Sequence, residues 1–324
     1  MVSLKTIAER CGVSTATVSK ALNDHKDISE ETKNRVKQTA EALGYFPNAA
    51  ARALKTNRSY NIGVLFEEEA GRGLTHEYFS GVLNGLKIQA EKLEYDITFI
   101  NTCFENRKMS YYEHCRYRNF EGVVIVCANF DDPDVIELMN SEIPVVTIDY
   151  VHHNCTAVTS NNIQGMEDLV KYIYSQGHRK IAYIHGQEGS SVTRDRLASF
   201  YRTIDELGLE IPDTYVRTAD YLETKGAAKQ TRELLNLEAP PTCIIYPDDT
   251  SLIGGRNVII EMGLRIPRDI SVAGYDGTMI SQLLYPKLTT IRQNTEMIGS
   301  EAATRLIGTI EKPRTTLVER VVIE

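Results

Sequence analysis

The stretch that most restricts what this chain can fold into is Leu4–Asn23, LKTIAERCGVSTATVSKALN. Leu4, Ile7, Ala8 and Cys11 recur at i, i+3, i+4 and i+7, one face of a helix. Gly12 permits the left-handed backbone that closes it, and Ser14 offers a side-chain oxygen to cap a second helix. On that helix Val18, Ala21 and Leu22 face inward, which leaves Thr15, Ala16, Thr17, Ser19 and Lys20 facing out. Two short helices joined by a glycine-containing turn make a helix-turn-helix. Its second helix is sized for the major groove, where side chains near the N-terminus meet base edges. A plain αα-hairpin of some other helical domain fits the same pattern, but the segments beyond Asn23 argue against it.

After a polar loop at Asp24–Asp27, Ser29 can cap a third helix, with Glu30 and Glu31 in its electropositive first turn. Val36, Thr39, Ala40 and Leu43 make its core face, and Gly44 stops it. Next comes FPNAAARALKTNRS, residues 46–59. Pro47 suits a first helical position, and the alanines with Leu54 favour helix. A helix of about nine residues is marginal alone because nucleation is costly. The segment is therefore either an alanine-rich linker or a hinge helix that orders on DNA, where Leu54 wedges into a base step from the minor groove.

Charge divides along the same line. Residues 1–58 carry ten Lys and Arg against six acids, a balance of +4; with a net charge of −8, the remainder carries −12. A basic head on an acidic body suits a head that meets phosphate and a body that does not.

VSTATVSKALN, the ISEETKNRV and ALGY segments, and YFPNAAARALKTNRSYNIGVL together resemble the lac repressor (LacI/GalR) family of transcription regulators. The resemblance implies that Thr15, Ala16 and Lys20 face bases, that Thr17 and Tyr45 meet phosphates, and that Leu54 with Lys55 works in the minor groove. It extends to the C-terminus.

From Asn61 the pattern changes to alternating strand and helix. NIGVLF, DITFIN (96–101), GVVIVC (122–127) and PVVTID (144–149) are apolar and β-branched. Helical stretches lie at Tyr78–Lys92, near Met109–Asn119 and at Pro133–Asn140, the last with Asp132 as cap. The alternation restarts with Ile163–Gln176, KIAYIH (180–185), Ser191–Leu207, Gly226–Leu235, TCIIY (242–246), Asp249–Met262 and SVAGY (271–275). Short apolar strands between helices mean parallel sheets covered on both faces. Thr289–Arg292 and Glu296–Thr309 are expected to return to the first lobe, with Leu317–Ile323 a last strand.

The expected fold is thus multi-domain. An all-α helix-turn-helix head (1–46) and a hinge helix or linker (47–58) precede a two-lobed α/β body (59–324). The resemblance implies a body like that of periplasmic sugar-binding proteins. Lobe 1 would span about 59–160 plus 291–324, and lobe 2 about 161–290.

In open parallel sheets ligands sit beyond the carboxyl ends of strands. Polar residues at such ends are Asp149 after PVVTI, Asp248 and Asp249 after CIIYP, and Asp276 after SVAGY. Arg194 and Arg196 open the helix after His185, and Glu67–Glu69 follow the first strand, with Tyr78 and Phe79 nearby. Each has a plainer reading: Asp249 as a helix N-cap, a lone Asp as a turn residue, the glutamates as a solvated loop. Their convergence favours a site, because carboxylates accept paired hydrogen bonds from adjacent sugar hydroxyls and Arg donates as a fork. The resemblance implies that Asp149, Arg196, Asp248 and Asp276 line an effector cleft. Three acids and one Arg favour a neutral polyol. Asp248 stands where many family members have Asn, Ser199 where Gly is usual, Gly277 where Asp is usual, and Asn161 where Asp is frequent, which leaves the ligand open.

The chain lacks GxSxG, GxxxxGK[ST], GxGxxG after the first strand, and HExxH, so an enzyme is the weakest reading. Its seven histidines are dispersed, and His152–His153 reads as a loop. Cys11, Cys103, Cys115, Cys127, Cys155 and Cys243 have no metal-ligand spacing and read as reduced thiols. Neither metal nor cofactor is expected. The N-terminus has no apolar signal segment and no run is long enough to span a bilayer, so a cytoplasmic protein is expected. The reading is a homodimeric repressor of a palindromic operator, controlled by a neutral sugar. A purine or a partner protein as the signal is the alternative, and a sugar transport protein is a more distant one.

Overall fold

The computed structural model describes residues 2–46, 53, 58–67, 73–104, 107–312 and 318–324. It divides into a head, Met1–Ser59, and a body, Tyr60–Glu324.

In the head, α1 (Leu4–Cys11), α2 (Thr15–Leu22) and α3 (Glu30–Ala42) each start at a serine cap. Ser3, Ser14 and Ser29 accept from the backbone N–H of Thr6, Thr17 and Thr32. Gly12 ends α1 at φ +66°, the conformation its missing Cβ allows. Ile7, Ala8, Cys11, Val18, Ala21, Val36 and Ala40 form the core, with Leu4, Leu22, Leu43 and Tyr45 against it. Leu54 and Lys55, with most of the expected hinge, lie outside the described residues.

In chain order the body opens with β1 (Asn61–Phe66), α4 (Glu77–Lys92), β2 (Asp96–Phe99), the short strands β3 (Cys103–Phe104) and β4 (Arg107–Lys108), and α5 (Tyr111–Arg118). Then come β5 (Val123–Cys127), α6 (Pro133–Met139), β6 (Val145–Ile148) and β7 (Thr156–Ser160). The second lobe is α7 (Asn162–Ser175), β8 (Ile181–His185), α8 (Ser191–Glu206), β9 (Val216–Thr218), α9 (Thr224–Leu235), β10 (Cys243–Ile245), α10 (Asp249–Glu261), β11 (Ser271–Asp276), α11 (Met279–Leu283) and β12 (Thr289–Arg292). The chain then returns through α12 (Thr295–Glu311) and β13 (Arg320–Ile323).

The first sheet runs β13-β7-β6-β5-β1-β2 and the second β12-β11-β10-β8-β9, with every neighbouring pair parallel. Apolar clusters cover both faces of each sheet, as parallel sheets require. One correction concerns Thr289–Arg292. It does not return to lobe 1 but pairs with β11, from Ala273↔Thr289 to Asp276↔Arg292. Only the short α11 separates β11 from β12, so β12 completes the second sheet, and the crossing to lobe 1 comes after it. β7 and β9 were not anticipated. Thr156–Ser160 carries three hydroxyl side chains yet is buried throughout, and Val216–Thr218 is three residues long.

The return to lobe 1 is fixed by backbone proximity between α4 and α12. A Cβ at Gly85 would sit 2.1 Å from the Glu296 carbonyl oxygen, and one at Gly299 would sit 1.9 Å from that of Val82. Helix axes that close admit only glycine at those points.

Candidate functional site

The head presents α2. Thr15, Ala16 and Lys20 are exposed, while Val18 and Ala21 are fully buried beneath them. Thr17 is half-buried, its N–H and hydroxyl both held by Ser14. The Lys20 ammonium is paired with Asp27, whose carboxyl that bond holds below its ordinary pKa. Tyr45 packs against the head core. A surface of small hydroxyl and methyl groups with one tethered cation can read base edges once the cation is released.

In the body the two sheets bring four of the expected cleft residues together. From lobe 1, Asp149 follows β6 and its carboxylate accepts from the Tyr78 hydroxyl and, at 3.1 Å, from Ser160 N–H. From lobe 2, the Arg196 guanidinium is 3 % exposed. Its Nε donates to Asn162 Oδ1 at 2.8 Å and its Nη1 to Pro247 O at 3.1 Å, and it lies 3.5 Å from the Tyr275 ring centroid. Asp276 accepts from Gln293 Nε2 at 2.7 Å. Burial raises the Asp149 pKa, and Tyr78, Ser160 N–H and Arg196 only partly offset it. Burial pushes Asp276 up to about 7, against the pull of Arg196. The Tyr78 hydroxyl is likewise raised, by burial first and then by Asp149. Shifts of this kind at groups that converge in a cleft make it a candidate binding site.

A backbone feature points the same way. Asp149 and Asp276 both sit at positive φ, +54° and +95°. Non-glycine residues hold such angles at a cost, and they cluster at functional sites.

The other expected residues fall differently. Phe79 packs edge-on to Phe66 and Tyr78 as part of the lobe 1 core wall. Asp248, not Asp249, is the N-cap of α10. Its carboxylate accepts from Ser251 N–H and Oγ, both at 2.7 Å, and from Leu222 N–H at 2.8 Å. Asp249 turns inward to accept from Thr278 N–H and Oγ1 at 2.7 and 2.9 Å. Glu67 ends beside β1, and Glu68 and Glu69 lie outside the described residues. A neutral polyol was expected from three acids and one Arg; the Asp248 and Asp149 carboxylates are largely engaged, which leaves Asp276 the most available.

Residues not singled out from sequence complete the wall. Asn162 and Tyr275 position Arg196, Gln293 holds Asp276, and Tyr221 bonds Thr193 Oγ1 at 2.8 Å. The Tyr221 ring occupies the space beside Gly186, where a Cβ would approach it to 2.0 Å. Strand-end position could have flagged Asn162 and Gln293; no local pattern marks Tyr221. The departures from family habit are locally explained. Asn161 caps α7 as Asp would, Ser199 Oγ donates to Ile163 O at 2.6 Å, and Gly277 at φ +69° abuts the Arg292 backbone.

Comparison with known proteins agrees with this geometry. Residues 3–48 match the family described as bacterial regulatory proteins, lacI family, and residues 170–324 match a periplasmic binding protein-like domain. A probable HTH-type transcriptional repressor ExuR of Bacillus subtilis (strain 168) is 30% identical over 318 residues, 97% of this chain and 93% of that protein. The chain belongs to the LacI family. The HTH-type transcriptional repressor PurR of Aliivibrio salmonicida is 28% identical over 315 residues, covering 96% of this LacI-family chain and 93% of the relative. The Lac repressor dimer bound to operator and the anti-inducer ONPF superposes with a TM-score of 0.80 at 26% identity, over 99% of this chain and 96% of that one. This LacI-family protein is a helix-turn-helix DNA-binding transcription regulator with a two-lobed ligand-binding body. No helix among the described residues is long and apolar enough to cross a membrane.

Proposed function

We propose that this regulator represses transcription as a homodimer on a palindromic operator, and that a sugar-like effector between its lobes controls that binding. The observation that carries the reading is the meeting of Tyr78 and Asp149 from one lobe with Arg196 and Asp276 from the other. A hydroxyl-rich molecule suits such a set, since Asp276 accepts and Arg196 donates. The two lobes also hold each other directly. Ser191 Oγ donates to Asp149 O at 2.6 Å, Met279 N–H to Glu77 Oε1 at 2.7 Å, and Arg320 pairs with Asp195 at 2.8 Å. A ligand that shifts these bonds shifts the lobes, and coupling of this kind amounts to about 1–3 kcal/mol.

On DNA, Thr15, Ala16 and Lys20 would read bases, Thr17 and Tyr45 would meet phosphates, and Leu54 with Lys55 would enter the minor groove. For the dimer, Met279, Leu283 and Tyr285 form an apolar run on the body, 65%, 74% and 92% exposed. Exposed apolar surface of this kind supports a subunit contact.

The test is thermal unfolding of the full chain against pentoses, hexoses, disaccharides and purines. A cognate ligand at a hundred times its Kd adds about 2.7 kcal/mol. Stabilisation by a sugar supports the reading; stabilisation by purines alone overturns the sugar part of it.

A further inference from the structure

The body begins at Tyr60, and both polar backbone groups of that residue are held there. Its N–H donates to Glu121 Oε1 at 2.8 Å, and its carbonyl accepts from Asp96 N–H at 2.8 Å. Its ring meets Tyr95 edge-on, 5.6 Å between centroids, and packs against the lobe 1 core. The Tyr95 hydroxyl lies 3.2 Å from Glu121 Oε2 and 2.8 Å from Glu311 Oε1, its one proton shared between them. Glu121 is itself fixed, since its N–H donates to Asn61 O at 3.0 Å.

Four separate stretches thus converge on one residue. Tyr60 precedes β1, Tyr95 precedes β2, Glu121 stands just before β5, and Glu311 ends α12. The strands are parallel, so the cluster lies at the amino end of the first sheet, opposite the end that carries Asp149. Tyr60 is held at φ +51°. A bulky side chain adopts that angle at a cost, and it persists only where the surroundings over-determine it. The paired register of β1 starts one residue later, with Asn61 opposite Asp96, so the chain is turned before the sheet begins.

We propose that Glu121 and Tyr95 are positioning residues for operator recognition: by clamping Tyr60 they fix how the chain leaves the body, and so set which half-site spacing the dimer accepts. The proposal rests on the reading of a dimer on a palindromic operator. Two heads tethered to one dimeric body bind together through an effective concentration. It is highest where the tethers match the span and falls where they do not. A tether of about twelve residues, the length of 47–58, that left its anchor freely would range over about 17–21 Å. That is several times the ~3.4 Å of one base pair, so neighbouring spacings would look alike to it. A tether that leaves at a fixed angle tells them apart, because each added base pair also rotates the half-site by about 35°.

The experiment selects an operator from random duplex DNA with the full wild-type chain. It then measures Kd on versions with one or two base pairs inserted or removed at the centre. Each change should cost the wild type at least about tenfold, the scale of a wrong base pair. Glu121→Ala removes the acceptor of Tyr60 N–H, and Tyr60→Gly removes both the ring and the strain. Both should bind the selected operator less tightly yet vary by less than about threefold across the series, as a loose tether averages over spacings. Glu121→Gln keeps an acceptor for Tyr60 N–H and should keep the wild-type profile. Thermal unfolding checks that each variant is folded; if one of the two loosened variants is not, the other decides. A profile as steep as the wild type's in the loosened variants, at whatever overall affinity, overturns the clamp and leaves the dimer reading intact. A wild type indifferent to spacing overturns both.

Discussion

Gln293 Nε2 donates to Asp276 Oδ1 at 2.7 Å, so the acid most available to a ligand is held by a residue on the crossing between lobes. The other end of the same amide accepts from Ser160 Oγ at 2.5 Å, on the first crossing. One side chain thus ties together the two places where the chain changes lobes, and a ligand that draws on Asp276 acts on both.

The Asp276 carboxyl gives this link a pH dependence. Its pKa rises from 3.8 to about 7 in the folded chain, chiefly through burial. Between those values the folded state keeps a proton that the unfolded state has lost, so its contribution to stability falls as pH rises from about 4 to about 7. Melting temperatures of the wild type and Asp276→Asn should therefore diverge across that window and run parallel above it. Parallel curves throughout would remove the raised acid.

Lys20 tests the head. Its pairing with Asp27 must open before the ammonium reaches a base. Lys20→Ala should change preference at one position in each half-site, by about 1–3 kcal/mol. Asp27→Asn should strengthen operator binding. A uniform loss over all sequences for Lys20→Ala would make it a phosphate contact.

Arg196 is more deeply built in than its sequence position implied. Arg196→Ala orphans Asn162 Oδ1 and Pro247 O, at about 1–3 kcal/mol for each group that water does not reach. It should lower the melting temperature and abolish effector stabilisation, while operator binding by the folded protein persists. A retained effector response would move the site elsewhere.

Leu54→Ala should weaken operator binding and reduce DNA bending, read by gel mobility on permuted fragments, since an apolar wedge contributes through unstacking. Unchanged bending would sink the wedge.

Gly299→Ala should cost several kcal/mol in chemical unfolding, because its methyl would meet the Val82 carbonyl at 1.9 Å and neither helix can yield cheaply.

How much was readable from sequence depends on the range of the forces involved. Caps and stops are local chemistry, and Ser14, Ser29, Gly12 and Asp132 stand where local reasoning puts them. Apolar strands announce themselves by composition, but β7 does not, because its threonines are buried by neighbours far away in sequence. Strand-end logic put Asp149 and Asp276 beside one another's lobes, and the start of the helix after β8 put Arg196 near them. It named Asp249 as the cap of α10 where Asp248 serves, since one residue of shift in where α10 begins decides which acid caps the helix and which turns inward. Tyr221 reaches the wall because Thr193 and Gly186, about 30 residues earlier in the chain, pack against it, which no short window of sequence contains.

The glycine contact between α4 and α12 has a consequence for biosynthesis. Lobe 2 is one unbroken stretch and can close its core as soon as β12 has left the ribosome. Lobe 1 cannot, because Ile298, Ala302, Ala303 and Leu306 of α12 supply part of its core. Through most of translation its apolar strands must wait, uncovered, beside a finished neighbour, and this is the interval in which a nascent chain is most exposed to aggregation.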